Sequence, residues 1–130
     1  MRSDGGEHNM LDSLLSARPK IRIFRARDAL FYFRLYDYGG DVLLTSQGAD
    51  TEAECRENLE AARSLASHDK SFRRHLTKDS KFTYFLMGPA KKVLAVGAMY
   101  PTVRDCDDAI RTLKHALADS VVEGPAESGG

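Results

Sequence analysis

The chain carries one pattern twice, and an internal period constrains a fold more tightly than composition does. Laid without a gap on the stretch that begins at Phe82, the segment from Phe31 to Ala66 matches Phe31 with Phe82, Leu35 with Leu86, Val42 with Val93, Leu43 with Leu94, Thr51 with Thr102 and Cys55 with Cys106. Apolar Leu59 and Ile110 coincide as well. Upstream, IRIFRARDA and KSFRRHLTKDS align if the second copy has a slightly longer turn, which is where a hairpin tolerates insertion. Each unit is roughly fifty residues, within the range of periods that mark repeated supersecondary structure.

Inside each unit the hydrophobic period changes from two to that of a helix. Phe31, Phe33 and Leu35 alternate with Tyr32, Arg34 and Tyr36, which predicts an antiparallel strand with one well-buried face. Gly39-Gly40 and the Pro89-Ala90-Lys91-Lys92 segment are turn chemistry leading into the third strands, VLLTS and VLAVG. The first strands are KIRIFR and SFRRHLT. Thr51 with Glu54, and Thr102 with Asp105, have the spacing of a capping box and predict two helix starts. Beyond them Cys55, Leu59, Ala62 and Ala66, and then Cys106, Ile110, Leu113 and Leu117, fall at helical spacing as stripes aimed at a sheet. The expected organisation is a flexible segment over 1–19, a first βββα unit over 20–69, a second over 70–119 that joins it in one compact domain, and a disordered tail over 120–130. The cluster Met10, Leu11, Leu14 and Leu15 is too brief for a stable isolated helix.

Two consecutive strand, strand, strand, helix units with these motifs resemble the YegP-like family of small bacterial and archaeal proteins. The likeness covers about Ile21 to Ala118 and is carried by Phe31, Phe33 and Leu35, by Gly40, by Thr45 and Ser46, and in the second copy by Phe82, Tyr84, Leu86, Met99, Tyr100 and Thr102. The chain departs from the family pattern at Ala49, where the second copy has Tyr100, and at the turns, where Gly39-Gly40 and Ala90-Lys91 replace Asn-Gly. The resemblance implies an α+β fold: tandem βββα repeats forming one antiparallel sheet, both helices on one face, the units related by a pseudo-two-fold. Single-unit relatives build the same body as dimers, so fusion makes the partner internal. The resemblance implies no catalytic residue.

A length of 130 residues with 42% apolar side chains suits a single soluble core. Nineteen basic and nineteen acidic residues leave no net charge, so a nucleic-acid or anionic-lipid partner would need a local patch. The beginning, MRSDGGEHNM, is polar and acidic and no apolar run approaches membrane-spanning length, so a cytoplasmic location with no membrane association is expected. Two cysteines are too few for a disulfide framework.

No catalytic, cofactor-binding or metal-binding residue is expected. His8, His68, His75 and His115 are scattered, neither cysteine has a C-x-x-C partner, and no phosphate-cradling glycine loop or nucleophile elbow is present. Glu52, Glu54 and Glu57, and Asp105, Asp107 and Asp108, are acids placed favourably at helix N-termini. Cys55 and Cys106 sit near helix starts, where thiols can become reactive, yet they share one position on the apolar stripe and read as core. A disulfide across the pseudo-two-fold and a reactive thiol are the alternatives. If the helices cover the Phe31, Phe33, Leu35 face, then Tyr32, Arg34, Tyr36, Phe85 and Met87 lie on the open one, with Arg73, Arg74, Lys91 and Lys92 as a basic rim. Such a face can be ordinary strand surface, a self-association patch or protein contact, or a place to stack bases or hold a flat ligand. The leading expectation is a non-enzymatic binding or accessory module. Single-stranded nucleic-acid or small-ligand binding is the second, and an enzyme with a site at the repeat seam the third.

Overall fold

Alternation in KIRIFR and FYFRLY becomes a hairpin of β1 (Lys20–Arg25) and β2 (Phe31–Tyr36), with Ile21, Ile23, Phe33 and Leu35 all fully buried on one side. The computed structural model describes residues 18–124. The chain continues through β3 (Val42–Ser46), α1 (Glu52–Leu65), β4 (Phe72–Leu76), β5 (Phe82–Met87), β6 (Val93–Gly97), α2 (Val103–Asp119) and β7 (Val121–Glu123). Short 3-10 turns at Asp69–Ser71 and Pro89–Lys91 connect neighbouring elements. The seven strands form one sheet in the order β4-β5-β6-β3-β2-β1-β7. Neighbours are antiparallel throughout, except that β7 runs parallel to β1.

Three expectations are corrected here. The sheet is mixed rather than wholly antiparallel, because α2 delivers the chain to the outer edge of β1, where the Val121 amide bonds the Pro19 carbonyl at 3.1 Å. Residues 121–123 are therefore strand, although they fall in the segment read as tail; the rest of that segment, from 125, lies outside the described residues. The first hairpin turns are equal in length, since Arg25 pairs with Phe31 and Leu76 with Phe82. β4 is an edge strand with little apolar alternation, so its residues do not mark its register in the sequence. The expected flexible segment and its apolar cluster also lie outside the described residues, apart from Arg18 and Pro19. Pro19 is buried, and the Arg18 guanidinium bonds the Asp119 carbonyl at 2.9 Å.

Both helices start as their caps predict. Thr51 Oγ1 accepts from the Glu54 amide at 3.0 Å, and Thr102 Oγ1 from the Asp105 amide at 3.0 Å. Glu54 reaches back to the Asp50 amide at 3.2 Å, whereas the shorter Asp105 makes no such bond among the described residues. Each cap contributes about 1 kcal/mol. Each large side chain fully buried beneath contributes about 1.5–3 kcal/mol, so packing holds the helices more than capping does. One cluster joins both helical stripes to the buried side of the sheet, which puts both helices on that side.

Tyr84 is the largest fully buried side chain, and its ring occupies the space over Gly97. It stacks with Tyr100 at 6.3 Å, meets Phe72 edge-on at 6.1 Å, and donates its hydroxyl to the Leu43 carbonyl. A Cβ on Gly97 would lie 2.4 Å from the ring. Gly97→Ala should cost about 1–3 kcal/mol through overpacking. Gly39→Ala, whose nearest neighbour would be 3.6 Å away, should be nearly silent by comparison. Thermal denaturation of the two variants checks this difference; equal stability would show that Tyr84 is not held over Gly97.

Cys55 and Cys106 are free and 0% exposed, the latter with its thiol 3.5 Å from the Thr83 carbonyl. Burial pushes the Cys55 thiol up to about 11 and raises that of Cys106 as well. Folded thiols then keep their protons where unfolded ones, ordinarily near 9, release them, so their stabilisation is lost as pH rises from about 9 towards 11. Native-state titration with a thiol reagent near neutral pH should label neither cysteine until the protein is denatured, and Cys55→Ala should flatten part of the alkaline fall in Tm. Immediate native labelling would contradict the core assignment.

Candidate functional site

The acids of this chain are not spread evenly over its elements. The strands β1 to β6 contain six basic residues, Lys20, Arg22, Arg25, Arg34, Arg73 and Arg74, and no aspartate or glutamate. Among the described residues the two helices hold four glutamates and four aspartates. Those helical acids are largely engaged: Glu54 caps, Glu52 pairs with Arg56 at 2.9 Å, Asp107 pairs with Arg74, and Asp108 with Arg111. A chain of zero net charge is thus basic on its sheet and acidic on its helix layer.

Strand register turns the open side of the sheet into an ordered surface. Arg22 pairs with Arg34, Arg34 with Thr45, Thr45 with Val96, Val96 with Phe85, and Phe85 with Arg73. These partners share a face, because directly opposed residues project to the same side. The result is one row across six strands, spanning about 24 Å at the usual strand spacing. Arg34 is held by an Nε donor bond to Thr45 Oγ1 at 3.2 Å and lies over the Phe24 ring at 5.0 Å. Phe24 stacks on Tyr32 at 5.8 Å, and Phe85 leans on His75 at 5.4 Å. Arg22, Phe24, Arg34 and Tyr36 line a shallow depression of about 260 Å³.

Of the sequence-predicted residues, Tyr32, Arg34 and Tyr36 gather around this depression, while Phe85 and Met87 sit on β5, three strand positions from β2. Sequence reasoning missed Arg22 and Phe24 on β1 and His75 on β4, although the alternation in KIRIFR marks the first two. The predicted basic rim is corrected at Arg74, which pairs with Asp107 of α2 on the helix side, because adjacent strand residues face opposite ways. Arg73 takes the open side. Near it Lys70, Ser71, Arg73 and Lys91, with Phe72 and Met87, line a second cavity of about 470 Å³ in which no lining residue is acidic.

The Tyr32 hydroxyl donates to Asp28 Oδ2 at 2.5 Å. That bond holds the Asp28 carboxyl below the usual carboxylate range and lifts the Tyr32 phenol above its ordinary value. On the opposite side a groove of about 570 Å³ runs between the β2–β3 turn and α2, lined by Asp37, Asp41, Tyr100, Asp105 and Asp108. Among the described residues no group of three or more histidine, cysteine, aspartate or glutamate side chains has metal-holding geometry. Nor is any described helix long and apolar enough to cross a membrane.

No family model matches the chain. It is 21% identical over 101 residues to UPF0339 protein PA0329 of Pseudomonas aeruginosa, covering 78% of this chain and 92% of that protein. Its fold is similar to the solution structure of yegP from E. coli, a protein of unknown function, with a TM-score of 0.77 and 18% identity over 82% of this chain and 91% of the other. It is similar also to the solution structure of UPF0339 protein SO3888 from Shewanella oneidensis, with a TM-score of 0.75 and 15% identity over 81% and 89%. In sequence and in fold the chain is similar to the YegP-like UPF0339 proteins, as its strand and cap motifs imply.

Proposed function

We propose that this chain is a non-enzymatic binding module that presents the open face of a fused pair of βββα units, 20–69 and 70–119, to its partner. The row from Arg22 to Arg73 carries the reading. It places guanidinium groups and aromatic rings on one continuous surface, free of carboxylates except at its margins. Binding surfaces of this kind need geometry and charge, not a proton-transfer set.

The pairing of units is supported by backbone details that recur at matching positions. Ala29 and Ser80 both have positive φ, as do Gly40 and Lys91. Register shifts occur at Leu35/Tyr36 and at Leu86/Met87, and isolated bridges join Phe31 to Ala49 and Phe82 to Tyr100. A pseudo-two-fold between β3 and β6 relates them, and it gives the open face cations at both ends rather than one.

Self-association through the same face is disfavoured by charge, since a face-to-face pair would set guanidinium groups against guanidinium groups. Native co-purification followed by mass spectrometry tests the reading, using wild type, an Arg22→Ala/Arg34→Ala/Arg73→Ala variant, and Arg104→Ala on the exposed side of α2. The bound species should survive Arg104→Ala and be lost from the triple variant. Equal retention by both variants, or turnover of a metabolite panel by the isolated protein, would contradict it.

A further inference from the structure

We infer that the occupant of the open face is a single-stranded nucleic acid, laid across the strands along the Arg22–Arg34–Thr45–Val96–Phe85–Arg73 row; this rests on the reading of that face as the binding surface. Charge comes first. Among the described residues, Arg22, Arg34, Arg73, Lys70 and Lys91 are in no ion pair, and the one carboxylate set directly opposite a member of the row, Glu123 beside Arg22, pairs with Lys20 at 3.7 Å. The row leads at Arg73 into the cavity lined by Lys70 and Lys91, which extends the basic track past the sheet edge. A polyanion fits this track and is repelled by the acidic groove on the helix side.

Ring placement then separates nucleic acid from other polyanions. Tyr36 and the Phe24–Tyr32 stack lie beside Arg34, and Phe85 lies beside Arg73, so each end of the row offers an aromatic face next to a cation. Phosphates meet guanidinium groups while unpaired bases meet rings, the combination by which sheets hold single strands with little sequence preference. An acidic peptide without aromatic side chains would use the cations and leave the rings idle. Duplex DNA would hide its bases from them.

Fluorescence anisotropy with labelled oligonucleotides of about ten nucleotides, in DNA and RNA forms, tests this on the full chain. Either form binding supports the class, and their ratio identifies the sugar preferred. With about three phosphates neutralised, affinity should fall roughly tenfold to twentyfold for a fourfold rise in salt. Arg22→Ala and Arg73→Ala should each weaken binding and reduce the salt slope, and Arg104→Ala should do neither. Phe24→Leu and Tyr36→Leu, which keep apolar bulk and remove the ring, should each weaken binding about tenfold. Inorganic polyphosphate should compete poorly, and its binding should not respond to the ring variants.

No binding at low salt overturns the inference. So does binding that polyphosphate matches and that ignores Phe24→Leu and Tyr36→Leu. Either result leaves the open-face module itself to stand or fall on the co-purification, because loss of a different partner from the triple variant would keep the face and change only its occupant.

Discussion

The hydroxyl of Tyr84 on β5 reaches across β6 to the Leu43 carbonyl on β3, so one side chain ties three neighbouring strands together at the middle of the sheet. β3 and β6 share the pairs Leu44–Gly97, Thr45–Val96 and Ser46–Ala95. The Gln47 amide extends this ladder to the Leu94 carbonyl at 3.1 Å, and on the buried side Tyr84 packs beneath it by filling the space over Gly97. The middle of these pairs, Thr45–Val96, is also the link by which the open-face row passes from one half of the chain to the other. One buried tyrosine therefore braces, from beneath, the surface proposed to bind.

Charge segregation follows from ordinary local preferences. Acids favour the first turns of helices, where they cap and meet the positive end of the helix dipole, and they are depleted in strands. Distributed that way, the acidic residues collect on α1, α2 and the turns, with Glu123 on the edge strand β7, and six cations remain on β1 to β6. At physiological salt, charges more than about 8 Å apart are largely screened from each other, so the open face responds to its own cations and not to the neutral total. Zero net charge excludes a long-range field and still permits a basic face.

Much of this was legible in the residues themselves. Alternation in FYFRLY, threonine caps before both helices and the Cys55 and Cys106 stripes predicted elements that the structure places where expected. What sequence reasoning missed depends on pairing partners. β7 is a three-residue strand whose place beside β1 is set by where α2 ends, not by anything in VVE. Arg22, Phe24 and Arg73 join Arg34 and Phe85 only once register is known, because a strand's pattern gives its two faces but not which residues lie opposite. Arg73 and Arg74 look like one basic pair in sequence, yet Arg74 is committed to Asp107 on the far side.

The most direct measurement follows the Nε–H resonances of arginine side chains by NMR during titration with a single-stranded oligonucleotide. Arg22, Arg34 and Arg73 should shift together and saturate at one affinity, while Arg56, Arg104 and Arg111 on the helices stay in place. Shifts confined to the helix arginines, or absent from all six at low salt, would contradict a nucleic-acid site on the sheet.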